Sequence, residues 1–167
     1  LKLNNNMNPY VLQLNIKGKK IHEVGLPKKE TKIGKIKFQG IEGDFNRFRF
    51  SKKGNDPNMA LMILSTDIIK ELNNEGWPVK PGDLGENLSI ENINYNSIQP
   101  GQCYQVGSVK LKISIICAPC NNLKNLDYVG ESKKLSFIKT LINRRGWYAK
   151  VLEEGIITKN DLFKIIE

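Results

Sequence analysis

Apolar and polar residues alternate along this chain in short stretches, and helical periodicity is confined to two places. Residues 10–17 put Val11, Leu12, Leu14 and Ile16 in a first strand, and Gly18-Lys19-Lys20 turns into a second over residues 21–24. A third strand over residues 33–39 ends at Gly40. Residues 59–64 form an unbroken apolar run between Asp56-Pro57-Asn58 and Ser65-Thr66, which predicts a fully buried strand. A helix follows: Ser65 or Thr66 caps it, Asp67 suits its first turn, Ile68, Ile69 and Leu72 form the buried stripe and Gly76 ends it. Further strands are predicted over residues 87–93, 98–107 (with Cys103 inside as a small buried hydrophobe), 108–116, 147–152 and 162–166. Residues 132–143 predict a second helix with Leu135, Ile138, Leu141 and Ile142 on one side, closed by Arg144 and Arg145 at its C-terminal dipole and by Gly146.

About eight short strands with two inserted helices argue for a mainly β, closed or nearly closed sheet. The strands are not regularly separated by helices, which disfavours a doubly wound parallel fold. At 167 residues and 40% hydrophobic the chain suffices for one domain. That domain is expected over residues 10–167, with residues 1–9 a frayed tail. No apolar run is long enough to cross a bilayer and the start lacks the apolar centre of a signal peptide, so a soluble cytoplasmic protein is expected. Three cysteines make no disulfide framework and favour a reducing compartment.

The net charge of +9 is uneven: residues 1–60 carry 13 Lys+Arg against 5 Asp+Glu, and residues 61–167 carry 13 against 12. A field of that sign draws in an anion. Only four of the basic residues are Arg and no aromatic platform is interleaved with the lysines, which argues against a nucleic-acid-binding barrel.

Three stretches carry candidate chemistry. Gly40-Ile41-Glu42-Gly43-Asp44 is either a turn with a solvated Asp or a backbone corner shaped to approach a ligand, and Arg47 and Arg49 follow as a possible fork for phosphate or carboxylate oxygens. Pro81-Gly82-Asp83-Leu84-Gly85-Glu86-Asn87 gathers two carboxylates and an amide in one loop. The third stretch ends the strand at 108–116: Val109, Leu111, Ile113 and Ile115 share one face, and the strand runs into Cys117-Ala118-Pro119-Cys120, where the proline stiffens the turn that presents Cys120. Taken alone, this C-x-x-C suits a redox dithiol, but such motifs work at a helix start within a strand–helix alternation absent here. A zinc site lacks a second ligand pair, only Cys103 and His22 being left over. His22 has no recognisable acid–base partner and reads as an ordinary surface histidine. Walker, Gly-x-Ser-x-Gly and His-Glu-x-x-His signatures are absent.

Taken in order, Val24-Gly-Leu-Pro-Lys28, Gly40-Ile-Glu-Gly-Asp44, Pro81-Gly-Asp-Leu-Gly-Glu-Asn87, Val106-Gly107, Ala118-Pro-Cys120, and Arg145-Gly146 with Ala149-Lys-Val-Leu152 and Gly155 resemble the MOSC family. These are domains related to the C-terminal part of molybdenum cofactor sulfurase. The resemblance implies a β-barrel-like fold, of the kind shared with the pyruvate kinase barrel domain, that binds molybdenum cofactor with the family's cysteine, Cys120 here, at the metal. A thiolate is a soft ligand able to complete a molybdenum coordination sphere, or it carries a persulfide sulfur instead. Lys28, Arg47 and Arg49 would suit the cofactor's phosphate. Asp83, Glu86 and Asn87 would hydrogen-bond the pterin edge or fix the loop, with Gly82, Gly85 and Asn121 counted beside them. Two positions depart from the family: Lys53-Gly54-Asn55 stands where many members have His-Gly-Gly, and Ala118 where many have Arg. The implied activity is reduction of an N-hydroxylated small molecule with a separate electron-donor protein, since nothing here binds flavin or nicotinamide. The alternative is a sulfur carrier loaded on Cys120 by a cysteine desulfurase.

Overall fold

The computed structural model describes residues 7–18, 25–46, 49–50 and 53–166. Within them, strands β1 (Tyr10–Ile16), β2 (Lys29–Thr31), β3 (Ile33–Lys37), β4 (Gly40–Ile41) and β5 (Leu61–Ser65) precede helix α1 (Thr66–Asn74). Then come β6 (Leu88–Glu91), β7 (Cys103–Val106), β8 (Val109–Ile116), helix α2 (Gly130–Thr140), β9 (Trp147–Glu153), β10 (Gly155–Thr158) and β11 (Phe163–Ile165). Eight strands form one sheet in the order β11-β7-β8-β9-β5-β6-β1-β2, and β10-β3-β4 form a second. All pairings are antiparallel except β5–β6, which α1 connects as a crossover.

The large sheet does not close as a continuous ladder, but the β11 end meets β1, the strand next to the opposite end. Tyr10 bridges Leu162, the Val11 amide donates to the Asp161 carbonyl at 2.9 Å, and the Phe163 amide donates to the Pro9 carbonyl at 2.9 Å. The chain is thus mainly β, nearly closed, with two long helices, as its alternation predicts. The expected strand over residues 21–24, with His22, lies outside the described residues.

β5 is buried at every position. Leu61 and Ile63 join a core built from strand residues of both sheets, including Leu14, Ile36, Leu88, Leu111 and Phe163. On the other side Leu64 joins Ile68, Leu72, Leu84, Phe137 and Leu141 beneath the helices. An unbroken apolar run is the pattern that two packed faces require. The α1 stripe of Ile68, Ile69 and Leu72 is buried as expected. The α2 stripe is corrected: Phe137 and Leu141 are buried, whereas Leu135 is 75% and Ile142 55% exposed. Phe137 takes the inward position because Trp77 and Tyr128 meet its ring, at centroid distances of 4.6 and 6.1 Å.

Other readings are corrected as well. β2, β4 and β10 are two to four residues long and escape periodicity. Arg49 and Phe50 have helical backbone, with the Phe50 amide donating to the Asn46 carbonyl, and Arg49 lies apart from the fork expected of it. Ile115 is 47% exposed because the β8–β9 register shifts between Ile113 and Ile116, turning the end of β8 away from the core. Among the described residues no helix is long and apolar enough to cross a membrane.

Candidate functional site

The turned end of β8 opens onto a pocket of about 340 Å³. Phe45, Met59, Met62, Ile115, Ile116 and Pro119 supply its apolar wall, and Lys28, Asn46, Lys53, Cys120, Asn122, Arg145 and Tyr148 its polar groups. No Asp or Glu lines it among the described residues. Volume and composition match a small-molecule site, which is concave, mostly apolar and marked by a few convergent polar groups.

Cys120 is half-buried in this wall, just before the 3₁₀ turn Asn121–Asn125. Its sulfur accepts a hydrogen bond from Arg145 Nη1 at 3.1 Å, and the same nitrogen donates to the Ala118 carbonyl at 3.0 Å. Arg145 Nε and Nη2 both reach the Leu84 carbonyl at 3.3 Å. One buried guanidinium therefore joins the cysteine turn to the Gly-Asp-Leu-Gly loop. Burial pulls the Arg145 pKa down, but the Cys117 and Cys120 thiols beside it raise it further, and the net direction is upward. Arg145 pairs with no carboxylate among the described residues.

Arg145 stands among the residues that carry the family resemblance, yet the sequence gives it no site role, because as the second of two arginines closing a helix it looks like a C-terminal charge. Its neighbour Arg144 fills that role, donating from Nε and Nη2 to the Thr140 carbonyl. The available signal is Ala118, which leaves the cysteine turn without a guanidinium of its own. Gly146 makes the turn possible: its φ is +125°, and a Cβ there would stand 2.7 Å from the Ile63 carbonyl oxygen. Its carbonyl accepts the Cys117 amide at 2.8 Å.

Cys117 lies behind the pocket, packed with Met59, Met62 and Tyr148. Burial pushes its thiol pKa up, and the nearby Arg145 charge opposes that rise. Burial above all pushes the Tyr148 hydroxyl pKa up, the Cys117 thiol beside it adds to that rise and the Arg145 charge opposes it, while the Cys117 thiol donates to the Ala118 carbonyl at 3.7 Å.

The other predicted residues separate into those that line the pocket and those that brace it. Lys28 lines it, but its ammonium makes a 2.7 Å ion pair with Asp44, both side chains being nearly fully buried. Gly85 lines it, and a Cβ there would stand 2.9 Å from Leu26 Cδ2. Asn87 turns inward: Oδ1 accepts the Met62 amide at 3.0 Å, and Nδ2 donates to Asp44 at 2.9 Å and to the Asn15 carbonyl at 3.2 Å. Asp83 accepts from the Lys80 amide at 3.0 Å and the Tyr128 hydroxyl at 2.9 Å. Glu86 is fully buried, accepts the Gly82 amide on Oε1 and has no partner on Oε2 among the described residues. Burial above all pushes its carboxyl up to about 8. Gly82, at φ +92°, donates that amide while its carbonyl accepts the Lys28 amide at 2.9 Å. Arg49 donates to the Met59 and Ala60 carbonyls at 3.2 Å each, beneath Gly40, and is not among the lining residues. Asn121 is exposed and its neighbour Asn122 lines the pocket. Arg47 lies outside the described residues.

Comparison with known proteins supplies the family. The MOSC domain family matches residues 49–164, most of the chain and all of the cysteine turn. The chain belongs to the MOSC domain family. Solved structures agree on the fold. The YuaD protein from Bacillus subtilis superposes with TM-score 0.74 at 16% identity, covering 93% of each chain. YiiM from Geobacillus stearothermophilus gives 0.71 at 19%, covering 95% of this chain and 75% of that one. YiiM from Escherichia coli gives 0.64 at 17%, covering 96% and 70%. No curated protein matches the sequence. Of the motifs in this MOSC domain that carry the resemblance, Gly25, Leu26 and Lys28, Gly85, Ala118 to Cys120, and Arg145 line one pocket, whereas Val106-Gly107 and Gly155 are not in its lining.

Proposed function

We propose that this MOSC domain holds molybdenum cofactor in the Cys120 pocket, with Cys120 as a ligand to the metal, and reduces N-hydroxylated small molecules with electrons from a separate donor protein. The observation that carries this reading is a half-buried thiol, hydrogen-bonded by a buried guanidinium, in a pocket with cationic groups and no carboxylate in its described lining. The donor set fits the cofactor: a thiolate is a soft ligand suited to a soft or borderline metal, and an acid-free wall suits a phosphate and a dithiolene. When bound, the cofactor supplies the metal that takes up electrons and removes the substrate's oxygen.

The chain's own residues do the rest. Arg145 fixes the direction of the Cys120 sulfur and compensates negative charge gathered there. Lys28 has its charge balanced by Asp44, so it contributes shape more than net attraction. Phe45, Met59, Met62, Ile115 and Ile116 keep the pocket wall apolar, which strengthens every polar contact inside it. The test is purification from a host that makes the cofactor, with metal analysis and assay of an aromatic amidoxime under a chemical reductant. Stoichiometric molybdenum and amidine product are expected, both lost in Cys120→Ala. A protein with neither metal nor pterin fluorescence, unchanged by that substitution, overturns the reading.

A further inference from the structure

Cys117 is a second thiol that the proposed reduction leaves without a task. It sits three residues from Cys120, across Pro119, and its thiol donates to the Ala118 carbonyl at 3.7 Å; that carbonyl also accepts at 3.0 Å from Arg145 Nη1, which donates to the Cys120 sulfur at 3.1 Å. The Cys117 amide donates to the Gly146 carbonyl, and its side chain packs against Met59, Met62 and Tyr148. Dithiol motifs usually take their positive partner from a helix N-terminus. Here the Arg145 guanidinium takes that place, so the absence of a following α-helix no longer counts against dithiol chemistry.

We infer that Cys117 and Cys120 form a working dithiol that reduces sulfane sulfur, Cys120 accepting the sulfur atom from a persulfide and Cys117 expelling it as sulfide. The inference is independent of the cofactor reading, since it needs only the two thiols, Arg145 and an external persulfide, whether of a small thiol or of a cysteine desulfurase.

The half-buried Cys120 sulfur attacks the outer sulfur of the donor R–S–SH; the S–S bond of the donor breaks, R–SH leaves, and Cys120 becomes a persulfide. Cys117 then attacks the inner sulfur of that persulfide. A Cys117–Cys120 disulfide forms, the outer S–S bond breaks, and the Cys117 proton departs with the sulfur as hydrogen sulfide. The sulfane sulfur is reduced by two electrons and the two cysteines are oxidised by two, so the step balances without a metal or cofactor. An external thiol restores the dithiol. Arg145, 3.1 Å from Cys120 Sγ, faces the negative charge that builds on the departing sulfide.

The test uses the reduced full-length chain and glutathione persulfide as the probe. The wild type is expected to release one sulfide per chain in a single turnover and to yield peptides joined by a Cys117–Cys120 disulfide. Cys117→Ala is expected to lose sulfide release and to stop one sulfur atom heavier, with that atom on Cys120. Should Cys117→Ala not fold, Cys117→Ser serves in its place, and the disulfide mapping in the wild type needs no variant. A wild type that keeps the added sulfur and releases none, or a Cys117 variant that releases sulfide as fast as the wild type, overturns the inference.

Discussion

The loop Pro81–Asn87 carries more polar chemistry than the turn Cys117–Cys120, yet the first faces the protein and the second faces the pocket. Asp83 is engaged by Lys80 and Tyr128, Asn87 by Met62, Asp44 and Asn15, and Glu86 by Gly82. Only the backbone of Gly85 reaches the cavity from that loop. The cysteine turn holds few polar atoms, but Cys120 is half-buried and borrows Arg145 from a distant part of the chain. Density of polar residues in a loop thus measures how much backbone must be satisfied there. Chemistry is marked instead by a reactive atom with one side left open.

The comparison breaks most visibly at Asp44, where the bracing side bears on a buried charge. Asp44 accepts from Lys28 Nζ, Asn87 Nδ2 and the Lys17 amide. Removing one partner of a buried ion pair leaves the other uncompensated, a loss of about 3–5 kcal/mol. Asp44→Ala should therefore cost that much in chemical denaturation and weaken the pocket through Lys28. Asp44→Asn, which keeps an acceptor, should cost less. Equal stability of Asp44→Ala and wild type would show that the loop does not brace the site.

Much of this arrangement is legible in the order of residues alone. Period-two alternation locates β1, β7 and β8, the apolar run locates β5, and the capped stripe locates α1. The Gly-Glu-Asn and Pro-Cys motifs locate the two loops that meet at the pocket. The rest depends on contacts distant in sequence. β2, β4 and β10 are too short to show a period and exist through their partners. Ile115 fits the buried face until a register shift rotates it outward. Glu86 looks like any loop glutamate, and nothing local announces that it is sealed from water.

Glu86 offers a second, smaller test, through pH. Its carboxyl is raised from 4.5 to about 8, chiefly by burial, so the folded protein holds a proton that the unfolded chain releases at lower pH. A group raised in this way contributes its full stability below about pH 4.5 and loses it as pH climbs to about 8, above which its slope is flat. Glu86→Gln keeps an oxygen for the Gly82 amide and cannot ionise. Its denaturation midpoint should fall less than that of the wild type between those limits. Parallel profiles for the two proteins would mean that Glu86 ionises as freely in the fold as outside it.

The smallest effect sharpens the contrast most, because it compares two adjacent arginines. Arg144 pairs with Glu71 at 3.2 Å and Glu75 at 2.9 Å, linking the end of α2 to α1, but the carboxylates are 56% and 45% exposed. Exposed ion pairs are worth about 0–1 kcal/mol, being screened by water and salt and opposed by the entropy of long side chains. Arg144→Ala should therefore lower stability by no more than about 1 kcal/mol, less at high salt, and leave the reactivity of Cys120 unchanged. Arg145 shares the residue type, the charge and the local sequence. It differs in being 6% exposed and in holding Cys120, Ala118 and Leu84 together. If Arg144→Ala altered Cys120 alkylation as much as a change at Arg145 does, the cysteine turn would be responding to net positive charge on this side of the molecule. An effect confined to Arg145 assigns control of the thiol to one directed guanidinium.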